Sequence, residues 1–394
     1  MAVLALAAWL LAGRSDPAPA AAAVQAQPGP GQPFMPNADS GLPAREDREQ
    51  RRQALLGNLQ LADRTYCSYR AGSQYPVGSR PMLENADQSY PNNPVTEMNP
   101  MRLQGGGADA KVQLQTSQSR VYMASNEAVA FSLRAVDAEG RVLPLVITRA
   151  LARGITYGST RAAPEVAVPF VDDGSGADPV PNDGAFAGVL APAQTGLAGF
   201  NGTIRTEVRY NVGGKNGVVL FDVIYTPELP AVWTGQVREA MEDGSLNFYL
   251  KLDVRMPGRY IVNGRIDDAR GKPFALLTFN DVLGPGPNEI RLTMFGKLMR
   301  DQDAALPLTL RDVDGYLLKE NADPDRALMP RLEGKVHTSR PWPLKGFSNE
   351  EWQSEERTRY LTEFAKDLRN ARAELAAFDP TRPLPPSACA SSVK

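Results

Sequence analysis

At 394 residues the chain is too long for one ordinary hydrophobic core and divides into roughly two or three domains. Hydrophobic residues make up 42% and charged ones 22%, the values of a soluble globular protein that can bury enough apolar surface to fold. A formal net charge of -2 without a long Lys/Arg run excludes nucleic acid as the main partner, because phosphate binding needs a basic stripe.

The first predicted element is an address. Residues 2–12, AVLALAAWLLA, form an apolar run too short to span a bilayer as a helix, and the small residues of APAAAAVQA follow it. Residues 1–24 therefore read as a signal-like segment, and the mature chain as periplasmic or secreted with no membrane span. Arg14 stands where a lipoprotein signal would carry cysteine, so export without a lipid anchor is expected; a mobile cytosolic arm is the competing reading. Residues 25–43, rich in Pro, Ala and Gly, read as a flexible linker.

Residues 44–110 read as an irregular region with one short amphipathic helix. Leu55, Leu59 and Ala62 fall at helical spacing, and REDREQRR (Arg45–Arg52) alternates acid and base as a solvated helix face does. The Pro-, Asn- and Tyr-rich stretch after it is expected to drape over a neighbouring domain, anchored by its tyrosines and methionines. Cys67 and Cys389 are the two cysteines. A disulfide between them is one reading and a buried, idle thiol at Cys67 the favoured one, since Cys389 lies in PLPPSACASSVK, part of a tail (380–394) that promises little order.

From about Val112 short alternating runs are separated by turn signals every ten residues or so, the pattern of antiparallel β-sandwiches. VAFSLRAV, the turn DAEG and RVLPLVI predict one hairpin; TEVRYNV, GGKNG and VVLFDVIY predict another. GGKNG lacks the Walker spacing and leads into a strand, so it is not a phosphate loop. In SLNFYLKLDV, Leu246, Phe248, Leu250, Leu252 and Val254 share one face. GRYIVNGRI then turns at DARG (Asp268–Gly271), an echo of DAEG (Asp137–Gly140) that suggests two copies of one architecture. The fold class is therefore mainly β, with two consecutive Ig-like antiparallel β-sandwich modules at 111–228 and 229–345. A helix over 346–379 closes the chain, opened by Ser348 and Glu351 as a capping box and lined by Leu361, Phe364, Leu368, Ala371 and Leu375.

GRYIVNGRIDDARGKPFA, LGPGPNEIRLTMFGKLMR and LPLTLRDV together resemble the Ig-like modules of exported bacterial proteins. The resemblance implies that Gly258 and Tyr260 open a strand, that Gly271 serves a hairpin and that Phe295 and Gly296 lie in a late strand. DDGSGADPVPNDGAF is similar to the acidic loop of such modules of the choice-of-anchor type, matched by Asp172, Asp173, Gly174, Asp178, Asp183, Gly184 and Phe186. With YCSYR and YPVGSRP before the modules, the layout from Leu55 to Phe378 resembles the exported domain of unknown function 4785 family, whose name implies no activity.

The acidic loop is the one candidate metal site. Asp172, Asp173, Asp178, Asn182 and Asp183 offer oxygens to calcium, which takes six to eight of them, but the spacing is not that of an EF-hand. The alternative is a pair of hairpin turns, DDG and NDG, where Asp and Asn tolerate left-handed backbone. Catalysis finds little support: G-x-S-x-G and H-E-x-x-H are missing, and the one histidine, His337, excludes a two-histidine zinc site and is expected on an exposed loop. Trp233 and Trp342 suit either a stacking surface or core packing. The sequence thus predicts a non-catalytic exported binding or scaffolding protein that meets a protein or glycan of the cell envelope. The alternatives are an extracellular carboxylate-dependent hydrolase of glycans and a calcium-stabilised adhesion-type module.

Overall fold

The computed structural model describes residues 43–156, 164–302 and 304–391; the signal-like segment and nearly all of the linker lie outside these. The described chain forms two compact units, one of residues up to Gln60 with Ala371–Leu384, the other of Leu61–Asn370 with the residues from Pro385 on.

The first element, α1 (Pro43–Gly72), is a 30-residue helix, not the short one expected. Proline occurs only at its start, its interior is dominated by Ala, Arg, Glu, Gln and Leu, and glycine ends it, so nothing stops propagation. The charged stretch Asp47–Arg51 is solvated, as the alternating charges imply. In the smaller unit Arg52 pairs with Asp379 at 2.7 Å, and Arg48 and Arg51 lie over the Phe378 ring.

The larger unit is mainly β. Its first half carries β1 (Ser79–Pro81), β2 (Val95–Arg102), β3 (Ala108–Gln118), β4 (Tyr122–Ala124), β5 (Val129–Val136), β6 (Leu145–Gly154), β7 (Glu165–Ala167), β8 (Phe170–Val171), β9 (Phe186–Leu190), β10 (Gly202–Val212) and β11 (Lys215–Thr226). Strands β2-β3-β5-β9-β8 make one sheet and β4-β11-β10-β6-β7 another. Alternate residues of both sheets enter one core, where the Phe131 ring of β5 meets the Phe221 ring of β11 at 4.8 Å. The GGKNG turn is tighter than its letters suggest: Gly213 and Gly214, both at positive φ, join Val212 to Lys215 as a two-residue hairpin.

The expected VAFSLRAV/RVLPLVI hairpin is corrected. After the Asp137–Gly140 turn only Val142 bridges back to β5, and β6 joins the opposite sheet. Pro144 has no N–H to continue a ladder, so pairing stops there and the chain crosses over. Strand β2, placed in the irregular region by sequence, is an edge strand, the position in which its Pro100 is tolerated.

The second half carries β12 (Ala231–Glu242), β13 (Ser245–Val254), β14 (Gly258–Asp267), β15 (Pro273–Leu283), β16 (Gly286–Met294), α2 (Gly296–Asp301), β17 (Thr309–Leu318), β18 (Arg326–Leu328) and β19 (Leu332–Thr338). Strands β12-β13-β16 oppose β1-β15-β14-β17-β18, with β19 also on β17. The face read from SLNFYLKLDV is fully buried between them. Gly258 opens β14 and Gly271 serves the β14–β15 turn, but Phe295 and Gly296 lie at the start of α2 rather than in a strand.

The two echoed turns have the same wiring. Asp137 and Asp268 each accept the backbone N–H groups two and four residues on through one carboxylate oxygen, bind the nearby arginine with the other, and precede a positive-φ glycine. The last helix, α3 (Glu355–Phe378), starts later than the capping box predicted. Ser354 accepts the Arg357 N–H as its cap, while Glu351 is held by Arg70 and Arg357 and cannot back-bond to Ser348. The expected apolar stripe is buried or half-buried along its length. In the larger unit Tyr69 of α1 meets the Tyr360 and Phe364 rings edge-on.

Candidate functional site

In the acidic loop between β8 and β9, Asp172, Asp178 and Asp183 bring carboxylate oxygens within 4.8 Å of one another. Asp173 stays outside this group and binds Ser175, and Asn182 occupies a left-handed turn position. The three central carboxylates hold the loop's own backbone. Asp172 accepts Asp183 and Gly184 N–H, Asp178 accepts Gly174 and Val180 N–H, and Asp183 accepts Ala185 N–H. Arg134 stands 3.7 Å from Asp183. The site that sequence offered to calcium is therefore narrowed to three residues, each already serving a turn.

His337 is not on an exposed loop. It lies half-buried on β19 with Nε2 3.0 Å from Glu239 and its ring edge-on to Phe248. Glu239 also accepts the Arg340 backbone N–H, the Arg340 guanidinium and the Trp342 indole N–H. Burial alone would raise the Glu239 pKa, but the donors of Arg340, His337 and Trp342 outweigh it and hold the carboxyl below its ordinary value. These bonds fasten β12 to β19 and the residues that follow it. Both tryptophans pack against the second core; Trp233 donates to the Pro330 carbonyl at 2.8 Å.

The feature that sequence did not expose is a cleft of about 630 Å³ in the larger unit, where segment 87–93, the start of β4 and the β14–β17–β18 surface meet. Of two buried arginines that hold segment 87–93, Arg265 lines the cleft and Arg311 does not. Arg265 is 1% exposed and binds Asp314, the Asp312 carbonyl, and both the carbonyl and side chain of Gln88. Arg311 reaches Asp267, Asp312 and the Ser89 carbonyl and lies over the Tyr90 ring. Arginines thus also hold the draped segment. Tyr75, Met82 and Met101 are buried as anchors, but Tyr90 and Met98 are exposed.

The cleft wall carries Arg326 between the Tyr122 and Tyr316 rings, at 5.4 and 4.9 Å. Beside it Arg331 donates to the Asn92 side chain and to the Tyr122 carbonyl. Two of the lining acids are neutralised: Asp314 by Arg265 and Glu127 by Arg120. The bulge in the β14–β17 pairing adds its extra residue on β17, while Arg265 keeps the alternation of β14, on the face away from the core, where Gln88 of segment 87–93 covers it.

No family model matches the sequence, and no curated protein matches it. Among solved structures the chain is similar to a DUF4785 family protein from Legionella pneumophila, at 13% identity and a TM-score of 0.33. The match covers 60% of this chain and 57% of that one, so the chain spans little more than half of that protein's length. The family of this neighbour is the one that the sequence resemblance names. The native conformation of Escherichia coli alpha-2-macroglobulin is similar at 13% identity and a TM-score of 0.26, over 62% of this chain and 15% of that one. The Yersinia pseudotuberculosis adhesin InvE is similar at 9% identity and a TM-score of 0.16, over 54% and 58%.

Proposed function

We propose that this is an exported, non-catalytic binding protein that holds a component of the cell envelope in the arginine- and tyrosine-lined cleft. The observation that carries the reading is the pairing of Asp314 with Arg265 and of Glu127 with Arg120. A glycan hydrolase needs one carboxyl to give a proton and another to act as base or nucleophile, and both of these carboxylates are already engaged by guanidinium partners. The cleft keeps donors, acceptors and aromatic rings, which recognise a ligand without transforming it. Export is supported by the Cys67–Cys389 disulfide, a bond that persists in oxidising compartments.

The test is co-sedimentation of the full chain with isolated cell-wall and membrane fractions. The wild type is expected to sediment, and Tyr122→Ala/Tyr316→Ala to stay in the supernatant, with the envelope material chemically unchanged. Equal sedimentation of the variant, or release of cleaved glycan, would overturn the reading.

A second reading, a calcium-stabilised module, is favoured by the convergence of Asp172, Asp178 and Asp183. It concerns stability rather than the cleft, and a comparison of melting in calcium and in chelator separates it from plain turns.

A further inference from the structure

Resting on the cleft reading above, we infer that the ligand is an acidic oligosaccharide, a uronate-bearing glycan whose carboxylate is met by Arg331. Arg331 is half-buried, and among the described residues no carboxylate pairs with it. Its guanidinium is oriented by two neutral acceptors, Asn92 Oδ1 at 3.2 Å and the Tyr122 carbonyl at 3.0 Å. Those two bonds leave N–H groups to spare on a planar fork that matches a carboxylate edge.

The surrounding charges set the size of the anion. Arg265 is neutralised by Asp314, and Arg326 binds Asp325 through two nitrogens. Glu127 is paired with Arg120, and Asp87 lines the cleft without an ion pair among the described residues. One cation without an ion pair, in a cleft that also holds Asp87, suits a singly charged group, whereas a phosphate monoester would bring a second negative charge with no cation to meet it.

The rest of the lining suits a sugar. Tyr90, Tyr122 and Tyr316 offer ring surface, and Gln88, Asn93 and Asn263 offer neutral amides that both donate to and accept from hydroxyl groups. A peptide would be expected to use a free strand edge or deep apolar pockets, and the lining supplies only Pro91, Leu276, Leu328 and Met329 as apolar side chains.

The experiment is calorimetric titration of the full chain with trigalacturonate, with its carboxyl-reduced neutral counterpart and with a triglutamate peptide. Trigalacturonate should bind, the reduced sugar about tenfold or more weaker, and Arg331→Gln should lose about tenfold or more for the acidic sugar alone. Arg331→Lys, which keeps the charge, should recover part of the loss; it also serves as the second variant if Arg331→Gln melts well below the wild type. Equal binding of the neutral sugar, wild-type affinity in Arg331→Gln, tighter binding of triglutamate, or no binding of any probe would each overturn the inference. If sedimentation with envelope fractions still depends on Tyr122 and Tyr316 in those cases, the cleft reading stands and only the ligand class falls.

Discussion

Cys67, on α1, is disulfide-bonded to Cys389, 322 residues later, so the last turns of the chain are tied to the first helix. The attachment does not rest on sulfur alone: Asp63, one helical turn earlier, accepts the Ser387 hydroxyl at 2.6 Å and the Ala388 backbone N–H. A tail with this sequence has too little apolar surface to dock unaided, and the covalent bond removes the entropy it would regain on release. Cys389→Ser, or reduction, should lower unfolding stability by about 2 kcal/mol or more. Denaturant titration with and without reductant checks this; an unchanged midpoint would mean that the Asp63 bonds suffice.

Two buried tyrosines should respond oppositely to loss of their hydroxyls. Tyr260 donates toward the Pro230 carbonyl at 2.9 Å and the Met256 carbonyl at 2.6 Å, whereas the Tyr210 hydroxyl finds no partner among the described residues. Burial pushes both phenols up to about 12. Tyr260→Phe takes the hydroxyl donor from the Met256 carbonyl, while the Pro230 carbonyl keeps the Arg255 and Met256 N–H groups, and should cost about 1 kcal/mol; Tyr210→Phe should be neutral or slightly stabilising. Urea midpoints of the two variants that moved the same way and by the same amount would refute the assignment.

Glu239 gives the fold a dependence on acid. Its carboxyl is held below the ordinary value in the folded state, because Arg340, His337 and Trp342 outweigh the effect of burial. A depressed folded pKa contributes stability that is present above the unfolded pKa and is lost as pH falls through the folded one. Glu239→Gln should therefore be about 2 kcal/mol less stable than the wild type at pH 7, with the gap closing below about pH 4. Stability curves of both proteins across that window are the measurement, and a gap of constant size would exclude the ionised carboxylate as its source.

The strands were legible where period-two alternation met a turn with a strict backbone requirement, as in SLNFYLKLDV and in DARG, whose Gly271 sits at positive φ. The echo between Asp137 and Asp268 was legible for the same reason, since one wiring needs one set of letters. The cleft was not. Arg265 sits at an outward position of β14 and is buried only because segment 87–93, distant in sequence, covers it, and Arg326 and Arg331 lie in NADPDRALMPRLE, which has no periodicity to place them. The idle thiol favoured at Cys67 is corrected by the disulfide, which sequence could not favour because nothing local relates Cys67 to a residue 322 positions away. The acidic loop was visible as composition, but which of its oxygens converge is set by turn geometry: Gly174, Asn182 and Gly184 take positive φ and fold Asp172, Asp178 and Asp183 together.

That loop supplies the last prediction. Asp178 is 3% exposed and accepts N–H groups from Gly174 and Val180, so its loss removes two bonds that hold the loop whether or not a cation is present. Asp178→Ala should cost about 1–3 kcal/mol, and Asp173→Ala, at an exposed side chain bound only to Ser175, should be nearly silent. Asp172 and Asp178 each use both carboxylate oxygens on backbone N–H groups, which already neutralise part of the repulsion that a calcium ion would relieve. The melting temperature of the wild type should then be the same in excess calcium and in chelator. A rise with calcium that disappears in Asp183→Asn would make the loop a metal site and shift the cause of its order from hydrogen bonds to coordination.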